Sequence, residues 1–217
     1  MADIILISNA RLSFPHIAEP QTQTDKVTGT TRTTYNCDLI LEPNSKGYQE
    51  FMAQFANLAQ IKWKENAQGA MQQIHANRKQ RCYGAGEEKV DSKTFQVRSG
   101  YANKVYISAS NSQMPQIIGA DGKATDNTMA AQALARKMYG GCFVNAAIKP
   151  WLQQNATAGI GVRCELVAVQ FCADGEPFGE APIDTTGMFA PVAATPAGLS
   201  APIATVPGIP GLPSFFG

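Results

Sequence analysis

The sequence predicts a mainly β protein: a closed or partly open barrel of five to six strands, with helical insertions at about 45–66 and 128–138 and a flexible C-terminal tail. Three observations carry this. Short segments of alternating apolar and polar residues recur between Gly, Pro and Asp turn signals. The helical stretches are too few to cross over between parallel strands, which disfavours βαβ units. From about Ala173 the composition changes, with eight of the 13 prolines in 173–217.

The elements follow in order. Residues 3–14 read as a strand, with Ile4, Ile5, Leu6 and Ile7 followed by alternating Ala10, Leu12 and Phe14; Pro15 and Pro20 end it. A polar, Thr-rich loop covers 21–32. In the second strand, 33–41, Tyr35, Cys37, Leu39 and Leu41 share one face, and Pro43 stops it. Asn44 or Ser45 suits an N-cap, and Phe51, Met52, Phe55, Leu58 and Ala59 repeat at helical spacing to about Asn66. Met71–Arg78 is a second helical stretch, and 79–103 is loop-like. Val105–Ala109 and Gln116–Gly119 are strands, the latter closed by an Asp121-Gly122 turn. Thr128–Met138 is a helix ended by Gly140-Gly141, and 142–151 and 160–172 are the last strands. The tail, rich in Ala, Pro and Gly, lacks the apolar content to offset its ordering entropy and reads as disordered.

Charge and chemistry narrow the function. The 217 residues carry 18 basic and 17 acidic groups, but every Lys and Arg lies in 1–163. Residues 171–217 hold Asp174, Glu176, Glu180 and Asp184 and no base. A basic body with an acidic tail suits a polyanion ligand and a tail that competes with it. The five cysteines lack CxxC spacing, so a zinc ribbon or secreted disulfide scaffold is not indicated. The N-terminal apolar run is too short for a signal peptide, and no stretch suits a membrane span. The two histidines, His16 and His75, have no metal spacing, and Gly84-Ala85-Gly86 lacks the ending of a phosphate loop. A binding protein is expected rather than an enzyme, with no metal or cofactor.

The strongest local pattern is 62–106, with nine basic residues against four acidic ones and Trp63, Tyr83, Phe95, Tyr101 and Tyr106 interleaved. Cations neutralise phosphates, and flat rings stack on unpaired bases without regard to sequence. Lys62, Lys64, Arg78, Lys79, Arg81, Arg98 and Lys104 are the candidate phosphate contacts. Tyr83 and Tyr101, beside glycines in basic loops, are the candidate stacking residues, with Trp63 and Tyr106 as further ones. Trp63 also suits the buried face of its helix.

Four segments together resemble a family of tailed-phage single-stranded DNA-binding proteins with an OB-type fold. They are Arg11-Leu12-Ser13-Phe14-Pro15-His16 with Glu19-Pro20; Tyr35 to Leu41; Tyr139-Gly140-Gly141-Cys142-Phe143-Val144-Asn145-Ala146; and Gly159-Ile160-Gly161-Val162 leading to Asp174-Gly175-Glu176-Pro177-Phe178-Gly179. The resemblance covers about 5–180 and implies an OB fold; with the change of composition it gives an OB-fold domain over 1–172 and an acidic, then Pro/Ala/Gly-rich, flexible tail over 173–217. It implies sequence-tolerant coating and protection of single-stranded DNA during phage replication or recombination, in the cytoplasm of a bacterial host. A strand-annealing recombination mediator and a structural phage protein that binds protein are the alternatives. Asp174, Glu176, Glu180, Asp184, Phe215 and Phe216 are the tail residues expected to meet replication or recombination proteins.

Overall fold

The computed structural model of the protein describes residues 3–24, 29, 31–125, 127–155 and 159–179. Its strands are β1 (Ile5–Thr24), β2 (Thr31–Leu41), β3 (Tyr83–Ala85), β4 (Val105–Asn111), β5 (Gln116–Ile118), β6 (Phe143–Asn155) and β7 (Gly159–Ala173); its α-helices are α1 (Lys46–Trp63), α2 (Ala67–Ala76) and α3 (Thr128–Ala135). The sheet runs β3-β4-β2-β1-β6-β7-β5 and closes through a parallel pairing of β4 with β7 at Ser110 and Glu165. Five strands, β1, β2, β4, β6 and β7, thus form a closed OB-type barrel.

Alternation along the strands builds the core. Ile5, Ile7, Leu12, Leu39, Leu41, Ile107, Val144, Ile148, Val162 and Leu166 point inward and are buried. Helix α1 adds Phe51, Phe55 and Ala59, one every turn. Its two rings meet Tyr83 of β3 at centroid distances of 5.7 and 5.9 Å. Each such side chain contributes about 1.5–3 kcal/mol on burial.

Several expected boundaries differ. Pro15 and Pro20 do not end β1. The β1–β2 register shifts between Ser13 and His16 and again between His16 and Gln21. Proline is tolerated at such irregularities because no ladder amide is required of it there. Of the expected loop at 21–32, residues 21–24 and 31–32 are instead paired strand, the outer part of the β1–β2 ladder. Thr22 faces Thr33 and Thr24 faces Thr31, with hydroxyls 3.3 and 3.2 Å apart. Ser45 occupies the N-cap position of α1, but its side chain makes no capping bond. Helix α2 spans ten residues and buries Ala67 and Ile74. Helix α3 starts where Asn127 Oδ1 accepts the Met129 and Ala130 amides, and its expected last turn loosens after Ala135.

The described structure continues past the expected domain edge at 172. Residues 174–178 are fastened to the barrel, and the compact unit spans Met1–Ala181. The Phe178 amide donates to the Gly140 carbonyl at 2.8 Å, and the Tyr139 hydroxyl bonds Asp174 Oδ1 and the Gly175 carbonyl at 3.1 and 2.9 Å. Gly141, at φ 113°, leaves room for the Glu176 carbonyl where a Cβ would collide with it.

Candidate nucleic-acid interface

The outward side chains of three neighbouring strands define one face. Ser13 pairs with Asp38, and Asp38 with Ser108. Asp38 is only 5% exposed. Its carboxylate accepts bonds from the Ser108 hydroxyl at 2.5 Å and the Tyr101 hydroxyl at 2.6 Å, and meets Lys89 Nζ at 2.6 Å. A buried carboxylate needs this pairing to offset its lost hydration. Lys89 and Tyr101 belong to the strap 86–104 between β3 and β4, so Asp38 fastens the strap across the barrel. Ile40, Tyr101 and Tyr106 form a small apolar cluster beneath it, with Phe178 packed against it.

A cleft lies on each side of this fastening. The larger, about 650 Å³, is lined by Ser13, Phe14, Pro15, Asp91, Thr94, Gln96, Val97, Arg98, Tyr101 and Phe178, among others. Phe14 is 43% exposed and sits in the left-handed region at φ 47°. The Arg98 guanidinium lies 5.1 Å from its ring centroid and reaches Asp91 at 3.2 Å. Two hydrogen bonds from the Lys93 and Thr94 amides hold the Asp91 carboxyl below its ordinary value. Phe95, also at positive φ, is 82% exposed. The second cleft, about 300 Å³, is polar: Gln21, Gln23, Thr34, Asn36, Ser108 and Ser110 line it with Asp38.

The residues expected to form one furrow are divided. Tyr83, Tyr101 and Tyr106 are 2, 1 and 4% exposed, so none presents a ring face to a base. Tyr83 fills the space against α1, and burial pushes its hydroxyl up to about 12. Tyr101 spends its hydroxyl on Asp38; burial, then the Asp38 charge, push that group well above the ordinary tyrosine range. Arg81 is occupied by structure: it bonds the His75 and Tyr83 carbonyls and the Glu88 carboxylate at 2.9, 2.5 and 2.8 Å. Lys104 pairs with Glu42 at 2.5 Å. Arg98 alone of the expected cations lines the larger cleft. Arg78 is exposed, with Glu88 4.0 Å away. Lys79 is exposed beside Arg163, which bonds its carbonyl. Lys62 bonds the Leu152 carbonyl at 3.2 Å, and Lys64 is exposed at the end of α1. Half-buried Trp63 borders a separate groove with Gln154 and Ile160. Of the tail residues, Asp174 and Glu176 lie against the barrel, whereas Glu180, Asp184, Phe215 and Phe216 lie outside the described residues.

The charge-and-ring pattern missed Arg11, Phe14 and Phe178, and Lys89, one of its nine basic residues, was not among the candidate contacts. The Arg11 guanidinium bonds the Gly141 and Glu176 carbonyls, both at 2.6 Å, and lies 4.6 Å from the Phe178 centroid and 5.0 Å from that of Phe143. Phe178 in turn rests against Gly100, whose φ of 82° and missing side chain admit the ring. The signal was present in the four quoted segments. Their residues Arg11, Phe14, Asp38, Tyr139, Gly141, Phe143, Glu176 and Phe178 converge around this face, although the sequence separates them by up to 167 positions.

Comparisons with known proteins give the family and the fold. The family model described as the single-stranded DNA-binding protein of Enterobacter phage Enc34 matches residues 3–194. A curated relative, putative protein p50 of Acyrthosiphon pisum secondary endosymbiont phage 1, is 30% identical over 177 residues, covering 80% of this chain and 85% of its own. The solved structure of the Enc34 protein in complex with single-stranded DNA shares the fold, with a TM-score of 0.60 and 24% identity over 81% of this chain and 89% of that one. The same protein solved without a described ligand gives 0.56 and 24% over 85% and 89%. With the family model matched along nearly the whole of the described barrel, the chain belongs to the family of the phage Enc34 single-stranded DNA-binding protein.

Proposed function

We propose that this protein binds single-stranded DNA, with little regard to sequence, along the outer face of β1, β2 and β4, and coats it during phage replication or recombination inside the bacterial host. The observation that carries the reading is the cleft that joins an exposed, left-handed Phe14 of β1 to the Arg98 guanidinium of the strap, beside the strand face on which OB barrels take oligonucleotides. A ring for the base and a cation for the adjoining phosphate are the two elements a single strand requires. Membership of a family described as binding single-stranded DNA supports it. The function is binding rather than catalysis. Lys62, Lys64, Arg78 and Lys79 remain proposed phosphate contacts, and Trp63 a proposed stacking residue, outside the cleft.

The test is the affinity of a labelled thymidine oligonucleotide and of a duplex of equal length, measured by anisotropy across a salt series. Single strands should bind more tightly, with a log–log salt slope of about −0.7 per phosphate contacted. Equal affinity for the two forms, or no binding at moderate salt, would reject the proposal.

A further inference from the structure

The outward face does not stop at β4. Asn36 pairs with Ser110 of β4, Ser110 with Glu165 of β7, and Glu165 with Lys149 of β6. Asn36 and Ser110 line the polar cleft, so this row continues from that cleft around the closed barrel. Adjacent strands lie about 4.8 Å apart, so the path around the barrel surface from Asn36 to Lys149 is roughly 14 Å. Two residues beyond Lys149 on the same side stands Trp151, 45% exposed and directly paired with Arg163.

Cations gather here. Arg163 Nε bonds Gln153 Oε1 and its Nη2 bonds the Lys79 carbonyl, each at 2.9 Å. Lys62 Nζ meets the carbonyl of Leu152, the next residue along. Neither Arg163 nor Lys149 forms an ion pair among the described residues. Glu165, the one carboxylate in the row, accepts a long 3.4 Å bond from Asn111 and stands opposite Lys149.

We propose that Trp151, flanked by Arg163 and Lys149, is a second stacking platform on the β6–β7 arm, taking a base of the same strand after it leaves the polar cleft. This rests on the function proposed above and extends its track across the barrel seam. A ring open to solvent in the centre of a strand has no structural need to be tryptophan, whereas base stacking uses its face. The surrounding positive charge favours a polyanion over a protein surface, although exposed Leu6, paired with Ala147 on the neighbouring strand, makes a second copy of the chain the competing occupant.

The protein has two tryptophans, so Trp63→Phe leaves Trp151 as its single indole. A thymidine oligonucleotide of about 20 nucleotides, longer than one barrel's usual site, is added while anisotropy reports binding. The Trp151 emission should fall in step with the bound fraction. In the otherwise unaltered chain, Trp151→Ala should weaken binding roughly five- to a hundred-fold, and Trp151→Phe should restore most of it. Binding without change in Trp151 emission, or a Trp151→Ala protein of unchanged affinity, overturns the platform alone. A Trp151→Ala protein that instead loses oligomeric mass in sedimentation assigns the ring to a copy of the chain. Failure of the unaltered protein to bind the oligonucleotide overturns both the platform and the function on which it rests.

Discussion

Phe14 is held in a backbone conformation that bulky residues rarely adopt, at a cost of order 1–3 kcal/mol. A residue strained in this way and also 43% exposed serves something other than packing. Phe14→Ala should weaken oligonucleotide binding by about 1–3 kcal/mol, as read by anisotropy, while the thermal midpoint stays near that of the parent. Arg81 behaves oppositely. Arg81→Gln should lower stability, because the Tyr83 carbonyl and Glu88 lose a shared donor, yet leave the salt slope of binding unchanged; Arg98→Gln should flatten that slope by about 0.7. The Glu88 carboxyl adds a pH test. Burial pushes it up, but the Arg81 hydrogen bond and charge, helped by the Ala85 amide and Arg78, leave it below its ordinary 4.5. A depressed carboxyl contributes stability that is present above 4.5 and is lost as pH falls through the depressed value. Glu88→Gln should therefore be less stable than the parent in urea melts near about pH 7 and converge on it as the pH falls below the depressed Glu88 value. At this scale the sequence was least legible. Tyr83 and Tyr101 stand beside glycines in basic segments, which resembles exposure. In fact those glycines let neighbouring side chains pack close, the Tyr101 hydroxyl donates to Asp38, and the Tyr83 hydroxyl meets His75 Nδ1 while its ring packs on Phe51.

Among the elements, the strap 86–104 links fold and site most directly. It contributes Arg98 to the larger cleft, and its position depends on two contacts to one carboxylate, Lys89 and Tyr101 on Asp38. Tyr101→Phe keeps the ring but leaves the buried carboxylate short of a donor, at a cost of about 1–3 kcal/mol. Amide exchange within 89–101 should accelerate in that variant while exchange in β6 and β7 stays at the parent's rate; uniform acceleration would show that Asp38 supports the whole barrel and not the strap. The alternating segments of β2, β4, β6 and β7 could be placed to within a few residues because a face buried against the core imposes a period of two. The extension of β1 could not. Proline is a sound stop signal for a regular ladder, but it carries no information about whether the partner strand will bulge around it, and here the register shifts twice at those positions. The polar Thr-rich arms of the same hairpin lack an inward apolar set, so nothing in their composition separates them from a loop.

For the whole molecule the decisive feature is the division of charge, with all 18 basic residues in 1–163 and only acids after it. That asymmetry was legible from composition alone. The closing contact between Ser110 and Glu165 was not, since barrel closure pairs strands more than fifty residues apart. Closure brings the acid-bearing segment 174–178 back against Arg11, so the negative end of the chain starts at the rim of the larger cleft, through Phe178 and Gly179. Carboxylates tethered there would compete with a phosphate backbone for the same cations, at a local concentration set by the length of the connection. Ending the chain after Gly179 removes Glu180 and Asp184 but keeps the fastened residues. If the tail competes for the groove, this truncation should tighten single-strand binding at about 0.01 M salt, where the Debye length is about 30 Å. The gain should disappear near about 1 M, where it is about 3 Å. A truncated protein that binds equally at low salt, or more weakly, would remove the tail from the groove and leave its Phe215-Phe216 end as a contact for other proteins.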